Sequence, residues 1–232
     1  NIEKSFDMEL QLFGINHKTT KLSERELFII NDSNQEDFKN FFQNTFGDTI
    51  DSFFALSTCN RTEVYIFGSS SSAVQIAQKT LEFFGSSDFL NNDLYFFSGN
   101  EAIEHMCTVA SGLDSQVLGE QEILGQFKRS IQTYIELGSL KGEFQRLTDD
   151  IISIAKAARS ETQIGFNPLS VSGLSLKIVQ EIFEDPAQQK LTILGAGQMA
   201  LSVIENFHNN GIKDINAVNR SKKTLSINNS LS

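Results

Sequence analysis

Residues 51–68 read DSFFALSTCNRTEVYIFG and decide the fold of this chain. The first six residues are mostly apolar and strand-length, and Val64 to Phe67 is β-branched and aromatic, so the pattern predicts two strands joined by a short polar connection. Cys59 lies in that connection, where a thiol would project from the end of a sheet. A nearby guanidinium such as that of Arg61, or an exposed backbone N–H, would favour the thiolate that attacks carbonyls. The alternative is a half-buried structural cysteine in a turn.

Strands and helices alternate around this hairpin. Residues 8–15 read as a strand, and Phe38, Phe41, Phe42 and Phe46 recur at the spacing of an amphipathic helix whose phenylalanine face packs on a sheet. Ser23 followed by Glu26 predicts a capping box and a short helix over residues 27–30. Together with a helix after Ser72 and a strand over residues 94–97, the pattern predicts an α+β sandwich of ferredoxin-like type for residues 8 to about 100.

The next segment is predicted to be helical, with a polar stretch in its middle. A helix from Asn100 carries Cys107 on its apolar stripe, which makes that thiol structural, whereas His105 lies off the stripe. Residues 114–126 mix glycines with carboxylates and amides, a composition that lines a polar pocket; the alternative is a capped helix N-terminus. Two helices are expected to follow, over residues 123–137 and about 142–162.

Residues 165–168, Gly-Phe-Asn-Pro, predict a boundary between domains at residues 1–164 and 165–232. Beyond it, the strand over residues 190–194 leads through a glycine-rich turn into a helix, as in a dinucleotide-binding Rossmann unit. Arg220 follows the next strand, where an acidic residue would bind the ribose of NAD, so the sequence favours NADPH. Because the chain begins with Asn1 and stops soon after this unit, we expect a fragment with a truncated NADP-binding domain.

Composition limits the classes of function. A net charge of −10, with 40% apolar and 21% charged residues, indicates a globular protein and argues against a general nucleic-acid binder. Two cysteines cannot form a CxxC-type metal site, so we expect no metal. The sequence has no apolar run near the roughly 20 residues of a membrane helix and no signal peptide, so we expect a cytoplasmic location. Candidates for a local basic patch are Lys18, Lys21, Arg25, Lys128 and Arg129.

Four segments in order resemble signatures of the glutamyl-tRNA reductase family: residues 14–20, 57–63, 112–126 and 194–200. The resemblance implies the same α+β domain followed by an NADP-binding domain. It also implies NADPH-dependent reduction of glutamyl-tRNA to glutamate-1-semialdehyde, for tetrapyrrole (porphyrin) synthesis, through a Cys59 thioester. The implied partners are glutamyl-tRNA, a second copy bound through a C-terminal domain absent here, and the next enzyme of the pathway by channelling.

The resemblance also assigns site residues. Cys59 is the nucleophile, and His105 is a general acid or a positioner of the ester. Arg61 is expected to pair with the γ-carboxylate of glutamate, although it could instead only brace the loop. Where the family more often has Gln or His, this chain has Glu122, which puts that contact in question. The substrate contacts are Thr58, Asn60, Arg61, Ser115, Glu120, Gln121, Glu122 and Gln126, and the cofactor contacts are Gly195, Ala196, Gly197, Gln198, Met199, Ala200 and Arg220.

Two other functions remain open from the sequence. One is a generic NADP-linked oxidoreductase that acts on a small carbonyl, with Cys59 structural. The other is a non-catalytic module that holds tRNA or a protein partner.

Overall fold

The computed structural model describes residues 9–68, 72–85, 93–120, 122–162, 164 and 171–220. The chain forms two compact units, residues 1–165 and 166–232, and each has a hydrophobic core of its own. Within the described ranges, no helix is both long enough and apolar enough to cross a membrane.

The first unit is built on a four-stranded antiparallel sheet in the order β2-β3-β1-β4. Its strands are β1 (Glu9–Asn16), β2 (Ile50–Ser57), β3 (Arg61–Gly68) and β4 (Tyr95–Ser98). Helices α1 (Leu22–Arg25) and α2 (Gln35–Phe46) connect β1 to β2, and α3 (Ala73–Phe83) connects β3 to β4. The mixed helix and strand composition predicted from the sequence is therefore confirmed, and β2 and β3 form the predicted hairpin.

Three further helices belong to the first unit: α4 (Gly99–Ser111), α5 (Glu122–Glu136) and α6 (Gly142–Glu161). Aromatic side chains attach α5 to the hairpin. Phe54 of β2 stacks on Tyr65 of β3 with ring centroids 4.5 Å apart, and Phe127 of α5 meets both rings edge-on. All three side chains are buried, and each such burial contributes about 2 kcal/mol. Helix α5 is therefore packed against the middle of the hairpin.

The segment between β1 and α2 departs from the prediction. Helix α1 begins at Leu22, the Lys21 N–H donates to the Glu24 carboxylate at 3.2 Å, and a short 3₁₀ helix (Glu26–Phe28) follows. Ile29 and Ile30 lie outside any helix, so the helix predicted over residues 27–30 is wrong. The physical reason is a tertiary contact: the Ile30 N–H donates to Ser57 Oγ at 3.1 Å, which ties this segment to the end of β2. Helix α2 is as predicted, with Phe38 and Phe42 fully buried.

The second unit contains one parallel β-α-β element. Strands β5 (Leu191–Leu194) and β6 (Ile215–Val218) pair in parallel and are joined through α8 (Gln198–Asn209), while α7 (Val171–Ile182) packs on α8. Leu176, Phe207 and Ile212 form its core. The strand, turn and helix predicted from the glycine-rich segment are present. The predicted linker at residues 165–168 lies outside the described residues.

Candidate active site

Cys59 is exposed at the tip of the β2–β3 hairpin. Thr58 shapes the turn, because its Oγ1 accepts the N–H groups of Asn60 at 3.1 Å and Arg61 at 3.2 Å. The Thr58 N–H in turn donates to the Arg61 carbonyl oxygen at 2.8 Å, and the Asn60 carbonyl accepts the His17 N–H at 2.9 Å. With the backbone of both neighbours fixed in this way, the thiol faces solvent where a substrate can reach it.

The surroundings of Cys59 disfavour the thiolate. Partial burial raises the pKa of the thiol, and the charges of Glu120 and Glu122 raise it further, whereas its own backbone N–H and the Arg25 charge act in the opposite direction. The expectation that Arg61 would favour the thiolate is wrong, since the Arg61 side chain points into the interior and Arg25 is the cation near the thiol. The thiol is therefore protonated at neutral pH.

A buried carboxylate organises the residues behind the hairpin. Arg61, Glu63 and Tyr65 stand at every second position of β3, so their side chains lie on one face of the sheet. Glu63, with no exposed side-chain surface, accepts hydrogen bonds from Arg61 Nη1 at 2.8 Å, from His105 Nε2 at 2.8 Å and from the hydroxyls of Tyr65 and Tyr95. Burial alone would raise its pKa, but the Arg61 charge and these hydrogen bonds lower the pKa of Glu63 to about 2. The side chain is thus ionised in the folded protein.

Arg61 is enclosed by protein oxygens. Its side chain is 1% exposed, and its Nη2 donates to the carbonyl oxygen of Asp114 at 2.7 Å and to Asp114 Oδ2 at 2.9 Å. Asp114 also binds the Lys18 ammonium, whose side chain is 59% exposed. Together with Glu63, these three side chains carry two positive and two negative charges, and Lys18 is the cation among them that solvent reaches.

His105 belongs to the Glu63 cluster. Its ring stacks on Phe97 with centroids 4.7 Å apart, and its Nε2 points at Glu63. Within the described part of the chain, no side chain forms a hydrogen bond to Cys59 Sγ. The structure therefore connects His105 to Arg61 through Glu63, which fits the role of a positioner better than that of a proton donor at the thiol.

The loop between α4 and α5 is held in place by Arg159 of α6. Arg159 Nη1 donates to the carbonyl oxygens of Ser111 at 3.1 Å and Glu120 at 2.9 Å, and Nη2 donates to that of Gly119 at 3.0 Å. Gly119 has a φ of +77°, and a Cβ there would come within 2.8 Å of the Ile164 carbonyl oxygen, so the loop requires glycine at this point. This clamp fixes Asp114 against Arg61 and places Glu120 near Cys59.

The predicted substrate residues are only partly brought together. Thr58, Asn60, Arg61 and Glu120 surround the hairpin turn, Glu122 and Gln126 lie in successive turns of α5, and Ser115 lies in the clamped loop beside Asp114. Gln121 lies outside the described residues. The predicted pairing of Arg61 with a substrate carboxylate stays a prediction, and at Nη1 or Nη2 that pairing would have to replace a contact with Glu63 or Asp114.

Four residues of the site were given no role from the sequence: Glu63, Asp114, Tyr95 and Arg159. Glu63 had a signal, because it stands two residues after Arg61 in a strand and so shares its face. Asp114 stands in one of the segments that carry the resemblance, but no role was given to it. Tyr95 and Arg159 come from elements far along the chain, and no local pattern marks them. Among the described residues, no group of three or more His, Cys, Asp or Glu side chains is suited to hold a metal ion.

The glycine-rich turn of the second unit has room for a phosphate. Gly195 has a φ of +117°, and a Cβ added at Gly195 or Gly197 would meet no atom within 4 Å. Gly197 is the N-cap of α8 and supplies no side-chain cap, so the first backbone N–H groups of the helix remain suited to an anion. Ala196 is buried, Met199 is exposed, Ala200 is half-buried, and Arg220 is exposed just after β6; the Gln198 side chain lies outside the described part. The open turn and the start of α8 are therefore suited to a phosphate group.

Comparisons with known proteins agree with both units. Residues 13–162 match the family model described as "Glutamyl-tRNAGlu reductase, N-terminal domain", and residues 177–227 match "Shikimate / quinate 5-dehydrogenase". The chain is 35% identical over 215 residues to a glutamyl-tRNA reductase of Pseudoalteromonas atlantica and 37% identical over 214 residues to that of Saccharophagus degradans, in each case covering 92% of this chain and 50% of the relative. A solved structure, "Glutamyl-tRNA Reductase from Methanopyrus kandleri", matches with a TM-score of 0.62 and 26% identity over 91% of this chain and 49% of that one. The chain therefore spans about half the length of these relatives.

Proposed function

Because this chain belongs to the glutamyl-tRNA reductase family, we propose that it takes part in the NADPH-dependent reduction of glutamyl-tRNA to glutamate-1-semialdehyde. This reaction is the first step of tetrapyrrole synthesis by the C5 route. The observation that carries the proposal is the exposed thiol of Cys59 at a hydrogen-bonded hairpin tip, near the ionic cluster of Arg61, Asp114 and Lys18.

The first chemical step is acyl transfer to Cys59. The Cys59 sulfur attacks the α-carbonyl carbon of the glutamyl ester, the S–C bond forms, and the C–O bond to the ribose breaks. The thiol proton goes to the departing ribose oxygen, so the products are an enzyme thioester and free tRNA. Because the pKa of the thiol is raised, the thiolate is a small fraction at neutral pH, and we expect acylation to accelerate as the pH rises.

The ionic cluster would recognise the glutamyl side chain. Lys18 is exposed and bound to Asp114, so it can turn to a γ-carboxylate without exposing a buried charge. Arg61 lies behind it as a fixed positive charge, and Glu63 and His105 hold Arg61 in place. The site would then discriminate against a glutaminyl group, because its neutral amide cannot form the ion pair that the γ-carboxylate forms with the Lys18 ammonium group.

The second unit would hold the dinucleotide. Gly195, Gly197 and the N-terminus of α8 would contact the pyrophosphate, and Arg220 would contact the 2′-phosphate that distinguishes NADPH from NADH. When bound, the cofactor supplies the hydride that converts the acyl group to the aldehyde. We further propose a ferredoxin-like first domain, a homodimer in the complete protein, and transfer of the aldehyde to the next enzyme.

The test is trapping of the acyl-enzyme. The chain is incubated with tRNA charged with radiolabelled glutamate, and label that survives denaturation and is removed by hydroxylamine reports a thioester. Cys59→Ser should abolish labelling, whereas Cys107→Ser, which changes the half-buried thiol on α4, should keep it. Labelling that survives in Cys59→Ser and is lost in Cys107→Ser would reverse the assignment, and an unlabelled wild-type chain would refute the acyl-transfer step.

A further inference from the structure

A cavity of about 490 Å³ lies along β2, the edge strand of the first sheet, between the start of α2 and the face of α5. Its volume is within the roughly 300–1,000 Å³ of small-molecule sites. The side chains that line it and enter the argument are Asp32, Gln35, Ser57, Gln126, Arg129 and Tyr134. Of these, Gln126 was predicted from the sequence to contact the substrate and Arg129 to belong to a local basic patch.

The cavity begins beside the reactive thiol. Ser57, which lines it, ends β2 two residues before Cys59. Along α5, the charge of Glu122 acts on Cys59, Gln126 lies one turn further, and Arg129 lies one turn beyond that. At 1.5 Å per residue, the rise from Glu122 to Arg129 is about 10 Å. A molecule bonded at Cys59 can therefore extend along α5 into the cavity.

The lining contains polar groups that lack protein partners. Tyr134 is 2% exposed, and across the described residues its hydroxyl forms no hydrogen bond. A buried hydroxyl without a partner is disfavoured by about 1–3 kcal/mol, and a hydrogen-bonding group bound in the cavity would remove this cost. Arg129, an exposed cation, forms no ion pair with any carboxylate in the same described ranges.

We propose that this cavity binds the terminal adenosine of the charged tRNA and its 5′-phosphate. Arg129 contacts the phosphate, and the amides of Gln35 and Gln126 and the Tyr134 hydroxyl contact the base and ribose. This assignment rests on the proposed function, because the ester that Cys59 attacks joins glutamate to the ribose of that nucleoside. The charges and hydrogen-bonding groups of the cavity match those of the nucleotide. The Arg129 guanidinium pairs with the one phosphate, and the neutral amides and hydroxyl contact the uncharged base and ribose. It also gives a chain of net charge −10 a local contact for a polyanion.

The experiment compares Arg129→Gln and Tyr134→Phe with the control Lys156→Gln, which removes an exposed charge on α6 away from the cavity. Single-turnover acyl transfer is measured with glutamyl-tRNA and with 2′(3′)-O-glutamyl-adenosine 5′-monophosphate. Arg129→Gln should lower the efficiency about tenfold and Tyr134→Phe about fivefold with both substrates. Alkylation of Cys59 by iodoacetamide, which has no nucleoside, should be unchanged in both variants. The urea midpoint of Tyr134→Phe should be no lower than that of the wild type, because the change removes a buried hydroxyl that has no partner in the described residues.

The outcomes separate this inference from the function on which it rests. Acylation of wild type together with unchanged rates in both variants overturns the cavity assignment alone. A loss seen with glutamyl-tRNA but not with the glutamyl nucleotide also overturns it, because Arg129 would then contact another part of the tRNA. A parallel loss of alkylation would assign the effect to a disturbed thiol. A wild-type chain that alkylates normally but accepts no acyl group refutes the proposed function and this inference with it.

Discussion

Replacing Glu63 by Gln should destabilise the first unit by about 3 kcal/mol. The substitution keeps the size of the side chain and removes the charge that faces Arg61 at 2.8 Å inside the protein. Breaking a buried ion pair by removing one partner is typically unfavourable by about 3–5 kcal/mol. The lower end applies here, because Asp114 still contacts Arg61 Nη2 at 2.9 Å in the variant.

The titration of Glu63 gives a second, independent magnitude. Its pKa is about 2 in the folded protein against 4.5 for the free group, which corresponds to about 3 kcal/mol. Because the folded-state pKa is the lower one, this contribution is complete above about pH 4.5 and is lost as the pH falls towards 2. The difference in stability between wild type and Glu63→Gln should therefore be largest near neutral pH and shrink in acid.

The assay is urea unfolding followed by tyrosine fluorescence. The chain has no Trp, and its three tyrosines, at positions 65, 95 and 134, all lie in the first unit, so the signal reports that unit alone. Glu82→Gln is the matched control, because it makes the same chemical change in an exposed pair with Lys79 and should alter stability by less than about 1 kcal/mol. A loss below about 1 kcal/mol for Glu63→Gln at pH 7, or a loss that does not shrink in acid, would refute the view that this buried charge holds Arg61.

Three further predictions concern the thiol, substrate selectivity and the cofactor. Glu120→Gln should lower the pKa of Cys59 and so speed its alkylation by iodoacetamide at fixed pH, and an unchanged pH profile would contradict the role given to that carboxylate. Lys18→Gln should reduce the preference for glutamyl- over glutaminyl-tRNA about tenfold and change the stability of the first unit by less than about 1 kcal/mol. Arg61→Lys should mainly destabilise the first unit and leave this preference largely intact. A loss of preference in Arg61→Lys but not in Lys18→Gln would show that Arg61 itself binds the γ-carboxylate. Gly197→Val should weaken NADPH binding at least about tenfold in a fluorescence titration, because the valine side chain would fill the open space at the start of α8. The tyrosine signal of the first unit should not change. An unchanged affinity would show that this turn does not bind the pyrophosphate.

Local patterns in the sequence determined the elements that carry the site. The two apolar runs within residues 51–68, separated by a short polar segment, indicated the hairpin and placed Cys59 at its tip. The spacing of the phenylalanines fixed the buried face of α2, and the two glycines before α8 fixed the open turn of the second unit. Four short segments, residues 14–20, 57–63, 112–126 and 194–200, were also sufficient to indicate the family.

Only the tertiary structure decided how the site is charged. Sequence placed Arg61 beside the thiol, but the side chain turns inward because Glu63, Tyr95, His105 and Asp114 converge on its face from β3, β4, α4 and the following loop. The pKa of Cys59 is likewise raised by partial burial and by the charge of Glu120, whose backbone carbonyl Arg159 binds from α6. Periodicity gives the face on which a side chain lies and not the element that packs against it. Burial and charge, which fix the pKa and the partner of each group, depend on contacts between residues far apart in the chain, and those contacts exist only once the elements have packed.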